Sequence, residues 1–307
     1  MKLSVIIPVF NEESVLAPLR ARLEPAVRAC TQEYEIIFVN DGSTDGTLAL
    51  LKTWATADTH LKIISLSRNY GKETAITAGL AAATGDGVAL LDADLQDPPE
   101  ILTAFWEKLN AGYDNIYGVR KDRSSDSFFK RLTAGLFYKV YNYLSDTPLP
   151  PHAGDCRLLS RRAVNAVLAL PERERFMKGL FTWVGYKSVA VPFVREKRAA
   201  GRTKWSYWKL WNFALNGLTA STTLPLKLWT YFGLLVSAAA FVFALWTAYK
   251  KIVFGNPVSG YTSLMVAILF FSGVQLITLG VIGEYLSRIF NEVKQRPAYF
   301  IDEKINL

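Results

Sequence analysis

The chain has 307 residues, half of them hydrophobic and 20% charged, with a net charge of +8. That length suits one sizeable domain plus an appendage, or two domains. A basic excess fits nucleic acid, a membrane surface or an anionic substrate, but no DNA or RNA recognition module is present, and the apolar segments described below favour the last two. Cys30 and Cys156 have no metal-ligand spacing and read as free thiols.

Four short apolar runs open the chain: Leu3–Val9, Glu35–Asn40, Leu61–Leu66 and Gly87–Leu91. Runs of this kind, apolar on both faces, predict strands of a parallel sheet. Helical patterns over Glu13–Cys30, Asp45–Thr56 and Lys72–Ala83 lie between them. The alternation predicts a doubly wound α/β sheet with right-handed crossovers. Ligands of such sheets bind beyond the carboxyl ends of the strands. The polar residues that follow those ends are Asn11, Glu12, Asp41, Arg68 to Lys72, and Asp92 to Gln96. With no signal peptide before the first strand, the N-terminal domain is expected to be cytoplasmic.

Arg120–Arg131 (RKDRSSDSFFKR) is a charged, serine-rich loop, and Glu196–Lys204 (EKRAAGRTK) is a second basic one. Trp205–Thr223 is aromatic, basic and amphipathic, as an interfacial segment is. Leu228–Tyr249 carries no charge and at about 1.5 Å per residue spans roughly 33 Å, enough for a hydrocarbon core. Leu264–Gly283 is a second uncharged run, after a linker holding Gly255, Asn256, Pro257 and Gly260. The positive-inside rule puts both ends of this two-helix hairpin in the cytoplasm: Arg195, Lys197, Arg198, Arg202, Lys204, Lys209 and Lys227 precede it and Arg288, Lys294, Arg296 and Lys304 follow, whereas the linker offers Lys250 and Lys251.

The sharpest chemical signal is Leu90–Glu100 (LLDADLQDPPE). Asp92 and Asp94 flank a small residue at a strand end, on the same side of an extended segment. Paired carboxylates with substrate phosphates suit Mg²⁺ or Mn²⁺, and Gln96 could add a third oxygen. Val39–Thr47 (VNDGSTDGT) places Asp41 at a strand end before a tight turn, where a carboxylate can accept hydrogen bonds from a base or ribose. Neither a Gly-x-Gly-x-x-Gly after the first strand nor a Gly-Lys-Ser/Thr loop is present, which disfavours a dinucleotide cofactor and a P-loop.

These stretches, with Val5–Glu12 (VIIPVFNE), Arg68–Glu73 (RNYGKE), Gly154–Arg161 (GDCRLLSR), Pro171–Gly185 (PERERFMKGLFTWVG), Gly201–Lys204 (GRTK), Phe254–Leu264 (FGNPVSGYTSL) and Gly283–Arg288 (GEYLSR), resemble a family 2 glycosyltransferase of the GT-A fold. Within that family the chain is most similar to the polyprenyl-phosphate glycosyltransferases, which include dolichol-phosphate mannose synthases, and above all to the bactoprenol glucosyl transferases of O-antigen modification. The resemblance covers nearly the whole chain, and its motifs after residue 150 are the specific ones.

The resemblance implies a cytoplasmic GT-A domain over 1–204, interfacial helices over 205–227, a transmembrane hairpin over 228–289 (about 228–249 and 264–286) and a cytoplasmic tail over 290–307. Pro8, Asn11, Glu12, Asp41, Lys72 and Asp92 would line the nucleotide-sugar pocket. Asp92, Asp94 and Gln96 would hold Mg²⁺ or Mn²⁺ with the diphosphate. Arg120, Arg123 and Arg131 would meet the acceptor phosphate. Asp155 would stand at the reacting centre as base or orienting group, and Arg202 in an acceptor loop. The implied reaction is inverting transfer of a hexose, from UDP-glucose by the nearest resemblance, to undecaprenyl phosphate at a bacterial plasma membrane, by a multi-pass homo-oligomer (a tetramer in relatives) whose site and termini are cytoplasmic. Cys156 departs from the family's pattern, which usually has phenylalanine there. A processive synthase of the same superfamily would need a larger channel and a Gln-x-x-Arg-Trp motif, both absent. Other donor sugars (mannose, galactose, an aminopentose) and a non-catalytic nucleotide-sugar-binding scaffold remain as alternatives.

Overall fold

The apolar runs form the first four strands: β1 (Leu3–Val9), β2 (Tyr34–Asn40), β3 (Leu61–Leu66) and β4 (Gly87–Leu90). Between and after them come α1 (Glu13–Cys30), α2 (Thr47–Ala57), α3 (Lys72–Ala82) and α4 (Ile101–Asn110), then β5 (Asn115–Arg120), β6 (Ala153–Ser160), α5 (Arg161–Ala169), α6 (Met177–Trp183) and β7 (Ser188–Phe193). Two long helices, α7 (Leu224–Phe254) and α8 (Tyr261–Lys294), precede a last strand, β8 (Ile301–Ile305). The computed structural model describes residues 1–121, 142, 153–173, 175–196, 224–254 and 260–307.

The eight strands form one sheet in the order β7-β5-β6-β4-β1-β2-β3-β8. β1 pairs in parallel with β2 and β4, β2 with β3, and β5 with β7. β6 runs antiparallel to β4 and β5, and β8 antiparallel to β3. Six strands therefore point one way, and only β6 and β8 run against them. The four strands that apolar runs do not foresee include β8, which turns the expected C-terminal tail into an edge strand.

Pleating sorts each buried strand between two cores. Val5, Ile7, Ile36, Phe38 and Ile63 pack with Leu16 and Leu19 of α1 and Phe105 of α4. Ile6, Ile37, Val39, Ile64 and Leu90 pack on the other face with Ala75 and Leu80 of α3 and Val164 of α5. Burial of each large aliphatic side chain contributes about 1.5–3 kcal/mol, which is why the central strands read as unbroken apolar runs.

One buried carboxylate ties the lower end of this sheet. Glu35 accepts from Ser4 Oγ at 2.5 Å and from the Thr84 backbone N–H at 2.7 Å, and it pairs with Lys2 and Lys62, each at 2.8 Å. Burial opposes its charge, but the two lysines with Ser4 and Thr84 outweigh it and hold its carboxyl at about 2 instead of 4.5. The sign follows from linkage. The stabilisation is full above about 4.5 and is lost as pH falls toward about 2, a contribution on the order of 3 kcal/mol. Thermal unfolding of the detergent-solubilised chain at stepped acid pH should show this loss. Glu35→Gln should be less stable at pH 7 and flatter through that window; equal acid slopes would contradict the assignment.

Residues 1–217 with 296–307 form one compact unit, and 218–295 form another. The chain thus leaves the sheet-bearing unit, makes the helix pair and returns to contribute β8. Helices α7 and α8 expose many large apolar side chains, among them Leu234, Phe241, Leu276 and Ile282. Phe270–Lys294 is long and apolar enough to cross a membrane, with a mean hydropathy of 1.3 and none of that stretch buried. Tyr231–Phe243 in α7 is a shorter apolar stretch. Both helices run beyond the predicted spans. The expected interfacial segment 205–223 lies outside the described residues.

Candidate active site

Because six strands share one direction, the loops after β1, β2, β3 and β4 meet at one edge of the sheet. Arg120 and Arg195, at the ends of β5 and β7, belong to the same edge. β6 enters from it, and the pairing of Arg157 with Leu90 puts Asp155 just beyond the end of β4. Topology alone therefore brings Asp155 beside Asp92.

The loops after β1 to β3 are knitted together by their polar side chains. The Asn11 N–H donates to Ser43 Oγ at 3.0 Å, and Asn11 Oδ1 accepts from the Thr44 N–H at 2.8 Å. The Glu12 N–H donates to Thr47 Oγ1 at 3.0 Å. Asn11 is left-handed, with φ 53°, a conformation that asparagine tolerates. Asp41 is buried, and its two oxygens accept the N–H groups of Tyr70 and Gly71 at 2.7 and 2.9 Å. Burial nevertheless leaves its carboxyl raised. In this structure Asp41 spends its acceptors on holding the loop after β3. Gly42, with φ +69°, packs so closely that a Cβ would lie 2.5 Å from the Arg68 carbonyl carbon.

The segment after β4 is not extended as expected but turns at Ala93–Asp94 and bends through Asp97; Ala93, Leu95 and Asp97 are buried and Asp92, Asp94 and Gln96 half-buried. Leu95 is left-handed at φ 57°, which costs a non-glycine residue roughly 1–2 kcal/mol. Asp94 Oδ1 accepts the Gln96 N–H at 3.1 Å. Gln96 Oε1 accepts from the Arg195 guanidinium, and Gln96 O accepts the Glu196 N–H at 3.0 Å. The side-chain oxygen expected to face a metal is thus engaged by an arginine.

A chain of alternating charge runs across the centre. Lys72 Nζ lies 2.6 Å from Asp92 Oδ1 and 2.7 Å from Asp155 Oδ2. Lys178 Nζ, from α6, lies 2.8 Å from Asp155 Oδ1. Burial works against the charge of Asp155, but Lys72 and Lys178 overcome it and hold the carboxyl well below the usual range. Burial likewise opposes the Lys72 ammonium, and Asp155 and Asp92 hold it above its ordinary value. Glu73 accepts the Met177 N–H at 3.1 Å; burial, then the charge of Asp155, pushes its carboxyl up to about 7. Asp97 is raised to about 6 by burial and by Asp92, with Arg120 and Arg195 opposing, and its Oδ1 has no hydrogen-bond partner among the described residues. Arg157 is buried, its guanidinium 4.2 Å from the Phe181 ring centroid, and burial lowers it to about 10. Burial also pushes the Cys156 thiol well up, so it is inert.

Among the sequence-predicted residues, Lys72, Asp92 and Asp155 are in direct contact. Asp94 and Gln96 share the acidic turn, and Pro8, Asn11, Glu12 and Asp41 stand at the neighbouring strand ends. The charge of Arg120 bears on Asp97. Arg123, Arg131 and Arg202 lie outside the described residues. Sequence reasoning did not single out Glu73, Asp97, Lys178 or Arg195 as site residues. The signals were present: Glu73 follows Lys72, Asp97 closes the acidic run, and Lys178 sits within Pro171–Gly185.

Among the described residues, no three His, Cys, Asp or Glu side chains converge on a cation site. Two carboxylates completed by substrate phosphates are, however, an ordinary donor set for Mg²⁺. Asp92 and Asp94, both half-buried in this turn, are residues of that kind. The set is incomplete without phosphate, and Asp92 is paired with Lys72 in this structure.

The chain matches glycosyl transferase family 2 over residues 4–168 and the GtrB C-terminal hairpin over residues 224–289. It is 50% identical to an uncharacterised glycosyltransferase of Synechocystis, covering 99% of this chain and 95% of that protein. It is 46% identical to the SfII prophage-derived bactoprenol glucosyl transferase of Shigella flexneri, over 98% of this chain and 97% of that one. Among solved structures, glucosyl-3-phosphoglycerate synthase of Mycobacterium tuberculosis with Mn²⁺, UDP-glucose and phosphoglyceric acid is 19% identical, at a TM-score of 0.48 over 71% of this chain and 77% of that one. The full-length relatives, the two family matches and the mostly parallel sheet agree on one assignment: the chain belongs to glycosyl transferase family 2 and carries that hairpin after its catalytic region.

Proposed function

We propose that this protein transfers a hexose, with inversion at C1, from a nucleotide-sugar to the phosphate of a polyprenyl phosphate at a membrane surface. The observation that carries the proposal is the end-to-end similarity to proteins named bactoprenol glucosyl transferases, hairpin included. UDP-glucose is the preferred donor on the same ground. Undecaprenyl phosphate at the bacterial plasma membrane is the preferred acceptor.

The chemistry suits the site. An acceptor phosphate oxygen, already anionic, attacks C1 as the bond from C1 to the diphosphate oxygen breaks, and the nucleoside diphosphate departs. No proton has to leave the nucleophile, so the enzyme's task is orientation and charge stabilisation. Asp155, ionised with both oxygens on lysines, orients charge and does not act as a base. Lys72 carries positive charge toward the Asp92 turn. Asp92 and Asp94 would hold Mg²⁺ or Mn²⁺, which supplies Lewis-acid stabilisation of the leaving diphosphate when bound. Gln96, engaged by Arg195, orders that turn. Pro8, Asn11, Glu12 and Asp41 would wall the nucleotide, Arg120, Arg123 and Arg131 would meet the acceptor phosphate, and Arg202 would close the acceptor loop.

In this reading the hairpin anchors the chain in the bilayer that holds the lipid acceptor. The excess of lysine and arginine before and after the helix pair supports a topology with both of its ends on the cytoplasmic side. We extend the proposal to interfacial helices over 205–227, membrane spans near 228–249 and 264–286, and a homo-oligomer. The test is nucleoside diphosphate release by detergent-purified protein with Mg²⁺ or Mn²⁺ and undecaprenyl phosphate, with UDP-glucose, UDP-galactose, UDP-N-acetylglucosamine and GDP-mannose in parallel. Lipid-dependent release from one donor is expected, UDP-glucose first. Donor binding without release from any donor would favour a scaffold instead.

A further inference from the structure

We propose that Lys178 is a second cationic residue of the reacting centre, directed at the acceptor phosphate, with Asp155 as its holder. The inference rests on the transferase reading above and deepens it. Asp155 has a lysine on each oxygen: Lys72 on Oδ2 at 2.7 Å and Lys178 on Oδ1 at 2.8 Å. The two lysines come from different elements. Lys72 also binds Asp92 at 2.6 Å and so belongs to the acidic turn, the donor side of the site. Lys178 reaches the same carboxylate by its other oxygen, from α6, on a segment that enters the site independently of the turn.

The local backbone is fixed for this purpose. Glu73, adjacent to Lys72 at the start of α3, accepts the Met177 N–H at 3.1 Å, one residue before Lys178. The first turn of α3 therefore supplies one lysine and anchors the segment that supplies the other. Lys178 is also reachable, with its side chain 27% exposed. The electrostatic need is plain. An anionic phosphate brought near Asp92 and Asp155 is repelled by both carboxylates. Lys72 is shared between Asp92 and Asp155. Lys178 gives Asp155 a second counter-ion, and an ammonium's three donors can serve a carboxylate and a phosphate together.

The test separates acceptor from donor. Lys178→Met, Lys178→Gln and Lys178→Arg are compared with wild type by donor affinity and by initial rate against undecaprenyl phosphate at saturating donor. Lys178→Met and Lys178→Gln should raise the acceptor KM or lower kcat/KM by about tenfold or more, the weight of a charge-assisted hydrogen bond. Donor Kd, which also reports folding, should stay within about twofold, and Lys178→Arg should recover most of the acceptor effect. Donor Kd weakening in step with acceptor KM, or an unmoved acceptor KM, would overturn the assignment. Wild-type protein that binds donor but shows no lipid-dependent turnover would overturn the transferase reading itself, and this inference with it.

Discussion

Asp94→Ala is expected to reduce lipid-dependent nucleoside diphosphate release by about a thousandfold, a much larger loss than Asp155→Asn. The ranking follows from what each carboxylate does. Asp94 lies half-buried in the acidic turn, where it would meet the charge that builds on the departing diphosphate. Left-handed Leu95 and the Gln96–Arg195 contact fix the backbone that follows Asp94. Asp155 already has both oxygens on lysines, so its role is to hold cations in place. Asparagine keeps one acceptor for one lysine, and the expected loss is about ten- to a hundredfold. Both variants are to be measured at saturating donor, with donor binding as the control for folding. A loss in Asp155→Asn that equals or exceeds that of Asp94→Ala would make Asp155 a base after all.

Lys72→Met is expected to weaken donor binding by about ten- to a hundredfold. Its ammonium is the shared counter-ion of Asp92 and Asp155, and methionine keeps the stem but leaves the two carboxylates facing each other. Asp155 then depends on Lys178 alone, and its carboxyl should rise. Residual turnover of the variant should therefore fail at a higher pH on the acid side than that of wild type. An acid limb in the same place, or an unchanged donor Kd, would show that Lys72 is only a surface cation.

Much of this site was legible in the sequence because the parallel strands are local signals. Leu3–Val9, Leu61–Leu66 and Gly87–Leu90 are apolar on both faces, so each announces itself and points to the polar residues at its end. β5, β6 and β7 (NIYGVR, AGDCRLLS, SVAVPF) mix polar and apolar residues and do not stand out. β8 is five residues long, and its partner β3 lies more than two hundred residues earlier, so no local pattern could reveal the pair. The same distinction separates Lys72 from Lys178. Lys72 follows a recognisable strand end, whereas Lys178 matters only because β6 runs against the other strands and carries Asp155 to the edge. Asp41 was recognisable as a site-edge residue, but its two backbone N–H partners come from the loop after β3 and leave no trace in spacing.

The most direct test of the central claim is to identify the lipid product. Undecaprenyl phosphate incubated with enzyme, metal and the productive donor is extracted into organic solvent and weighed by mass spectrometry, and its anomeric configuration is assigned by NMR. The account predicts a lipid heavier by one hexose, joined through phosphate, with the configuration at C1 opposite to that of the donor, and no such species with Asp94→Ala. Nucleoside diphosphate release with an unmodified lipid, or a product that retains the donor's configuration, would contradict it.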